Sequence, residues 1–111
     1  MFSVWNTHHI ALVTDSISAE LTLSAERAES GDVASAEAHA RRAKDIWDSH
    51  RVYFESVLRH TEFDTVCEDF YNVEEKLLDG DEAKVALYAN HAVEHLKAVA
   101  DMEKVRIGTI F

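Results

Sequence analysis

Proline is absent from the 111 residues of this chain, glycine occurs only three times and cysteine once. Without proline, no helix has to kink or stop from within. With so little glycine, positive backbone φ is cheap at very few positions, so sharp turns must be few and regular elements long. A single cysteine, Cys67, excludes an internal disulfide and a thiolate zinc cage. No apolar run approaches the ~20 residues of a membrane span, and Met1 to Val13 carry neither a basic leader nor a small-residue cleavage site. Basic charge is scarce as well: 21 acidic residues against 11 lysines and arginines give a formal charge of −10 at pH 7. That sign repels a phosphate backbone and an anionic lipid surface. Nucleic acid is therefore not an expected partner, and any membrane attachment has to come from an anchor.

What is present reads as helix. Hydrophobic residues make up 47% of the chain, and alanine, glutamate and leucine recur, as they do where helices pack on helices. Two Gly-Asp pairs, Gly31-Asp32 and Gly80-Asp81, divide the chain into two hairpins of nearly equal length. In each, the glycine ends one helix at positive φ and the aspartate caps the next. The first helix is expected from Asn6 or Thr7 to Glu29, with Ile10, Val13, Ile17, Leu21, Ala25 and Ala28 on one face. The second carries Ala36, Ala40, Ala43, Trp47, Phe54, Val57 and Leu58. A break is expected near His60-Thr61-Glu62 with Thr61 as cap, a continuous helix being the alternative. Phe63, Val66, Cys67, Phe70, Val73 and Leu77 form a third stripe, and Val85, Ala89, Ala92, Val93, Leu96, Val99 and Met102 a fourth. From Lys104 to Phe111, Val105, Ile107 and Ile110 fall in near alternation, which predicts an extended tail folded back over the helices. The expected architecture is one all-α domain over residues 1–111, an antiparallel four-helix bundle built from two helical hairpins and closed by that tail.

Superposing Gly31 on Gly80 pairs Ala34 with Ala83, Ala40 with Ala89, Ala43 with Ala92 and Trp47 with Leu96. The match is mostly alanine, as expected of two hairpins under one packing requirement, and the pattern of the 34-residue tetratricopeptide repeat is not present. Arg41, Arg42, Lys44, Arg51 and Arg59 are expected to face Glu62, Asp64, Glu68, Asp69, Glu74, Glu75 and Asp79 across a bundle rim. Near the start, Phe2 and Trp5 suit either core anchoring or the interfacial edge of a membrane helix.

Catalytic patterns are few. His91-Ala92-Val93-Glu94-His95 matches the His-x-x-Glu-His spacing of inverted zinc peptidases, with both imidazoles on one helical face. That chemistry needs a third ligand and a cleft, for which the sixteen residues after His95 leave no room. His91 and His95 remain candidate metal ligands, with His60 or His50 as further donors. Glu-x-x-His, required twice by a di-iron bundle, does not occur. Cys67 lies on an apolar stripe beside Glu68 and Asp69, which raise a thiol pKa, and is expected to be buried and inert. His60 and Asp64 form a polar pair at the expected turn, where an imidazole could donate to the last carbonyls of the preceding helix. Trp47 is expected to fill the space its alanine neighbours leave.

Gly31-Asp32 with Ala36, then Trp47, then His60 with Asp64, then Ile110-Phe111 resemble an uncharacterised bacterial domain-of-unknown-function family of short helical proteins, found mostly in clostridia and their relatives. The resemblance runs from about Ile10 to Phe111. It implies a helical domain held outside the cytoplasm by an N-terminal membrane anchor, and it supplies no activity or catalytic residues. Members commonly end in Asn-Ile-Phe, whereas Thr109 stands at the asparagine position here. The anchor is not among these residues, so either sequence ahead of Met1 supplies it or this member is soluble and cytoplasmic.

The functional expectation is a non-enzymatic interaction or accessory module without a cofactor, acting on a protein partner. Trp47, His60 and Asp64 are its candidate functional cluster, and the alternative is a small metal-binding or sensory bundle using His91 and His95.

Overall fold

The computed structural model describes the backbone of residues 2–110 and the side chains of residues 9, 11–56 and 58–102. The readings of Phe2, Trp5, Ile10, Val57, Val105, Ile107 and Ile110 as core or interfacial side chains fall outside the described residues, as does Phe111. Five helices follow one another: α1 (Phe2–Glu29), α2 (Val33–Ser49), α3 (Arg51–Val57), α4 (His60–Asp79) and α5 (Glu82–Ile110). No strand occurs among the described residues, and the protein is all-α.

Both Gly-Asp pairs act as their chemistry requires. Gly31 and Gly80 have φ of 86° and 72°. Gly31 N–H donates to the Ala28 carbonyl and Asp32 N–H to that of Arg27, at 3.1 and 2.9 Å; Gly80 and Asp81 repeat the arrangement on Leu77 and Lys76. Carbonyls that a helix end would otherwise leave unpaired are thus satisfied. The carboxylate of Asp32 then accepts from Ser35 N–H at 3.1 Å, and that of Asp81 from Lys84 N–H at 3.2 Å. Asp32→Ala or Asp81→Ala is expected to cost about 1 kcal/mol, read as a fall in urea midpoint at unchanged slope, with asparagine at either position avoiding most of that loss.

Between the hairpins the chain breaks twice. His50, at φ −111° and ψ 15°, separates α2 from α3. Around it Ser49 Oγ takes the Asp45 carbonyl at 2.7 Å and the His50 imidazole takes that of Ile46 at 2.9 Å. Such side-chain competition for helical carbonyls weakens a helix. Leu58 and Arg59 are extended, at ψ of 151° and 148°. The N-cap of α4 is therefore Arg59 and not Thr61, and Glu62 reaches back to the Arg59 N–H at 3.4 Å.

Two further expectations are corrected. α1 begins at Phe2 rather than near Asn6, and residues 104–110 continue α5 as helix instead of forming an extended tail. The reasons are linked: α1 packs closely against both α2 and α5, and helices of 28 and 29 residues span about 42–44 Å at 1.5 Å per residue. The molecule measures 47 × 21 × 21 Å, so the two long helices run its length and α5 gives α1 a partner over most of it.

α4 packs on α5, while α2 and α4 meet much less closely. Ala28, Val33, Leu77, Gly80 and Val85 line one small crevice, which places both Gly-Asp turns at the same end of the molecule. The core is one continuous cluster, containing every alanine of the expected α2 stripe. Ser24 Oγ donates to the Ala36 carbonyl at 2.7 Å, both residues being fully buried, so side chain meets backbone directly between α1 and α2. Met102, expected on the core stripe of α5, is instead exposed.

Candidate functional site

The proposed trio of Trp47, His60 and Asp64 does not converge. Trp47 is 2% exposed and stacks on Phe54 and Phe63 with ring centroids 4.5 and 5.3 Å apart, while Phe70 lies tilted against it at 5.9 Å. It is the centre of the aromatic core. His60 and Asp64 form an exposed pair one turn apart, Nε2 to Oδ2 3.2 Å. His60 also starts α4 rather than ending the preceding helix, so it caps no C-terminus. That role belongs to His50, whose Nδ1 lies 2.9 Å from the Ile46 carbonyl while its ring lies against His9.

His60 and Asp64 nonetheless line one end of a longer feature, a groove along the seam where α2 and α3 face α4. Beside them stand Arg51, Glu55, Leu58 and Phe63. The middle of the groove is floored by Trp47, Cys67 and Phe70, with Lys44, Asp48 and Tyr71 at its edges. Toward the Gly-Asp end it passes Ala40, Leu77 and Leu78 between Glu37, Arg41 and Glu74. Tyr71 and Leu78 are 63% and 89% exposed there.

Rim electrostatics differ from the sequence expectation. Among the described ion pairs only Lys44–Glu74, at 3.1 Å, joins α2 to α4; Glu74 raises the Lys44 pKa through that contact. Arg41 turns to Glu37 and Arg51 to Glu55, each within one turn at 2.6 and 2.9 Å. The Arg51 guanidinium also lies 5.5 Å from the Phe63 ring centroid, in cation–π range. α2 and α4 are therefore not laced together, which is why a groove remains between them.

Cys67 is half-buried on this floor, not fully enclosed. Burial pushes its thiol pKa up, against a hydrogen bond from the Trp47 indole and the nearby Arg51 charge. Burial, rather than Glu68 and Asp69, is thus the leading reason that it stays a thiol.

On the other side of α4 lies a pair that sequence reasoning missed. Asp69, buried in the α4–α5 interface, meets Nδ1 of His95 at 2.5 Å. A second such pair, Glu20 with His39 at 2.7 Å, joins α1 to α2. The signal for Asp69 was its place three residues after Val66 and four before Val73, on the buried stripe. His91 and His95 share an exposed face with ring centroids 6.5 Å apart. Among the described residues no cluster of three or more potential metal ligands is present, and no described helix is long and apolar enough to cross a membrane.

A family model for a domain of unknown function, DUF4363, matches residues 4–110. No curated protein and no solved structure matches the chain.

Proposed function

We propose that this chain, which belongs to the DUF4363 family of domains of unknown function, is a non-enzymatic interaction module: an antiparallel four-helix bundle that receives an amphipathic helix of a protein partner in its α2–α4 groove. The observation that carries this reading is the groove itself. Its floor is apolar and aromatic, while Tyr71 and Leu78 stand exposed at its edge. Both signs of charge line it: Glu37, Arg41, Lys44, Asp48, Arg51 and Glu55 on the α2–α3 side, and Asp64 and Glu74 on the α4 side. An apolar helix face flanked by charges of each sign suits such a channel, with its anchors at i, i+3, i+4 and i+7. Arg41, Lys44, Arg51 and His60 are each paired with a carboxylate, and burial pushes the thiol pKa up, which favours docking over chemistry.

The family resemblance supports a position at the outer face of a bacterial membrane, where a span ahead of α1 would hold the module beside another membrane protein. The coding sequence upstream of Met1 tests that placement.

Photocrosslinking in the native host tests the docking reading. A crosslinker at position 71 is expected to give one discrete adduct, lost on Leu78→Glu at the exposed groove edge; a crosslinker at the exposed position 87 on α5 serves as control. Equal labelling from position 87, an adduct indifferent to Leu78→Glu, an adduct of two copies of this chain, or turnover of a substrate by the purified domain would each overturn the proposal.

A further inference from the structure

We infer that His91 and His95 on α5 form a binding site for one late first-row divalent ion, Cu²⁺, Ni²⁺ or Zn²⁺, with Asp69 of α4 holding His95 in the ligating form. The site lies on the α4–α5 rim and is independent of the α2–α4 groove.

Three observations converge. The two imidazoles are one helical turn apart on an exposed face, their centroids 6.5 Å from each other and their planes at 50°. At this spacing side chains of one helix are neighbours. The Asp69 carboxylate, an acceptor, engages His95 Nδ1 from across the helix interface. A carboxylate in that role places the ring proton on Nδ1 and leaves the Nε2 lone pair outward, the arrangement found where histidine ligates a metal. Asp69 is itself held in the α4–α5 packing, so the orientation of His95 is set by the fold rather than by a mobile surface rotamer. The third observation is charge: a net −10 over 111 residues raises the local concentration of cations.

The donor set selects the ion. Imidazole nitrogen suits Cu²⁺, Ni²⁺ and Zn²⁺, and affinity should peak at Cu²⁺; Mg²⁺ and Ca²⁺ require oxygen ligands and are rejected. Metal–nitrogen bonds of about 2.0–2.1 Å hold two imidazoles closer than they stand here, so exposed His91 turns toward His95 on binding. The chain supplies two ligands, and water or a group from outside takes the remaining positions.

Isothermal titration of the whole chain with Zn²⁺ and Cu²⁺ alone tests the site. One equivalent with micromolar affinity is expected, tighter for Cu²⁺. His91→Ala and His95→Ala should each weaken binding tenfold or more. Asp69→Asn, with both ligands kept, should weaken it about 10–100-fold while far-ultraviolet circular dichroism stays that of the parent. Should that variant lose helicity, Nε2 line broadening of His95 by substoichiometric Cu²⁺ in the parent, absent in His91→Ala, reports the same pairing. Binding unchanged in the His91→Ala/His95→Ala double variant, or no saturable binding below millimolar metal, overturns the assignment.

Discussion

Trp47→Ala is expected to lower the free energy of unfolding by about 3–5 kcal/mol, out of about 5–15 kcal/mol for a whole domain. Trp47 sits on α2, stacks on Phe54 of α3 and Phe63 of α4, and meets Phe70 of α4 at a tilt. It therefore supplies much of the contact across the α2–α4 seam, the loosest part of a fold whose two hairpins are otherwise joined by α1 packed on α5. Truncation to alanine removes the largest fully buried side chain among the described residues and leaves three aromatic rings without a shared neighbour, which add their own stacking losses. Trp47→Phe keeps most of the area and should cost clearly less. Urea titration followed by circular dichroism decides the matter: a midpoint close to that of the parent in Trp47→Ala would show that the hairpins hold together without the aromatic cluster.

Features of the fold governed by neighbours in sequence were legible before the structure. Gly31-Asp32 and Gly80-Asp81 carry turn and cap within a few residues, and each behaved accordingly. The helical stripes were equally readable because burial on one face repeats every three or four residues. What failed depended on distant partners. Asp69 read as one more acid on a charged rim; its partner His95 is 26 residues away, and only the packing of α5 on α4 brings the two together. The near alternation of Val105, Ile107 and Ile110 suggested an extended tail, yet the backbone continues as helix to Ile110, and the packing of α5 on α1 is not something a local pattern reveals. The extra break at His50 came from Ser49 and His50 competing for carbonyls of their own helix, an effect of side-chain geometry rather than of a glycine or proline. The candidate site was half legible. His60 and Asp64 do line the groove, but Trp47 supports it from below, because a tryptophan among alanines fills space before it binds anything.

Ala36→Leu carries the second large effect, about 1–3 kcal/mol or more of destabilisation, and it tests why α2 begins with alanines. Ala36 has no exposed surface, and its carbonyl accepts the Ser24 hydroxyl of α1 at 2.7 Å. Three added carbons at that crossing have nowhere to go unless the two helices separate. Separation would also strain the nearby turn, where Gly31 at φ 86° is followed at once by the Asp32 cap. Ala38→Leu, two residues along on the exposed face, should stay within about 0.5 kcal/mol of the parent, so helix propensity cannot account for a difference between the two variants. The second hairpin supplies the contrast. With Gly31 set on Gly80, Ala36 corresponds to Val85, which is buried as fully in a larger volume, while Ala40 and Ala43 correspond to the equally buried Ala89 and Ala92. The α1–α2 hairpin thus accepts less bulk at its first crossing than the α4–α5 hairpin does. Val85→Leu is accordingly expected to cost less than Ala36→Leu in the same urea titration. Equal costs would mean that the two hairpins pack alike, and a tolerated Ala36→Leu would mean that the close crossing of α1 and α2 is not required by the fold.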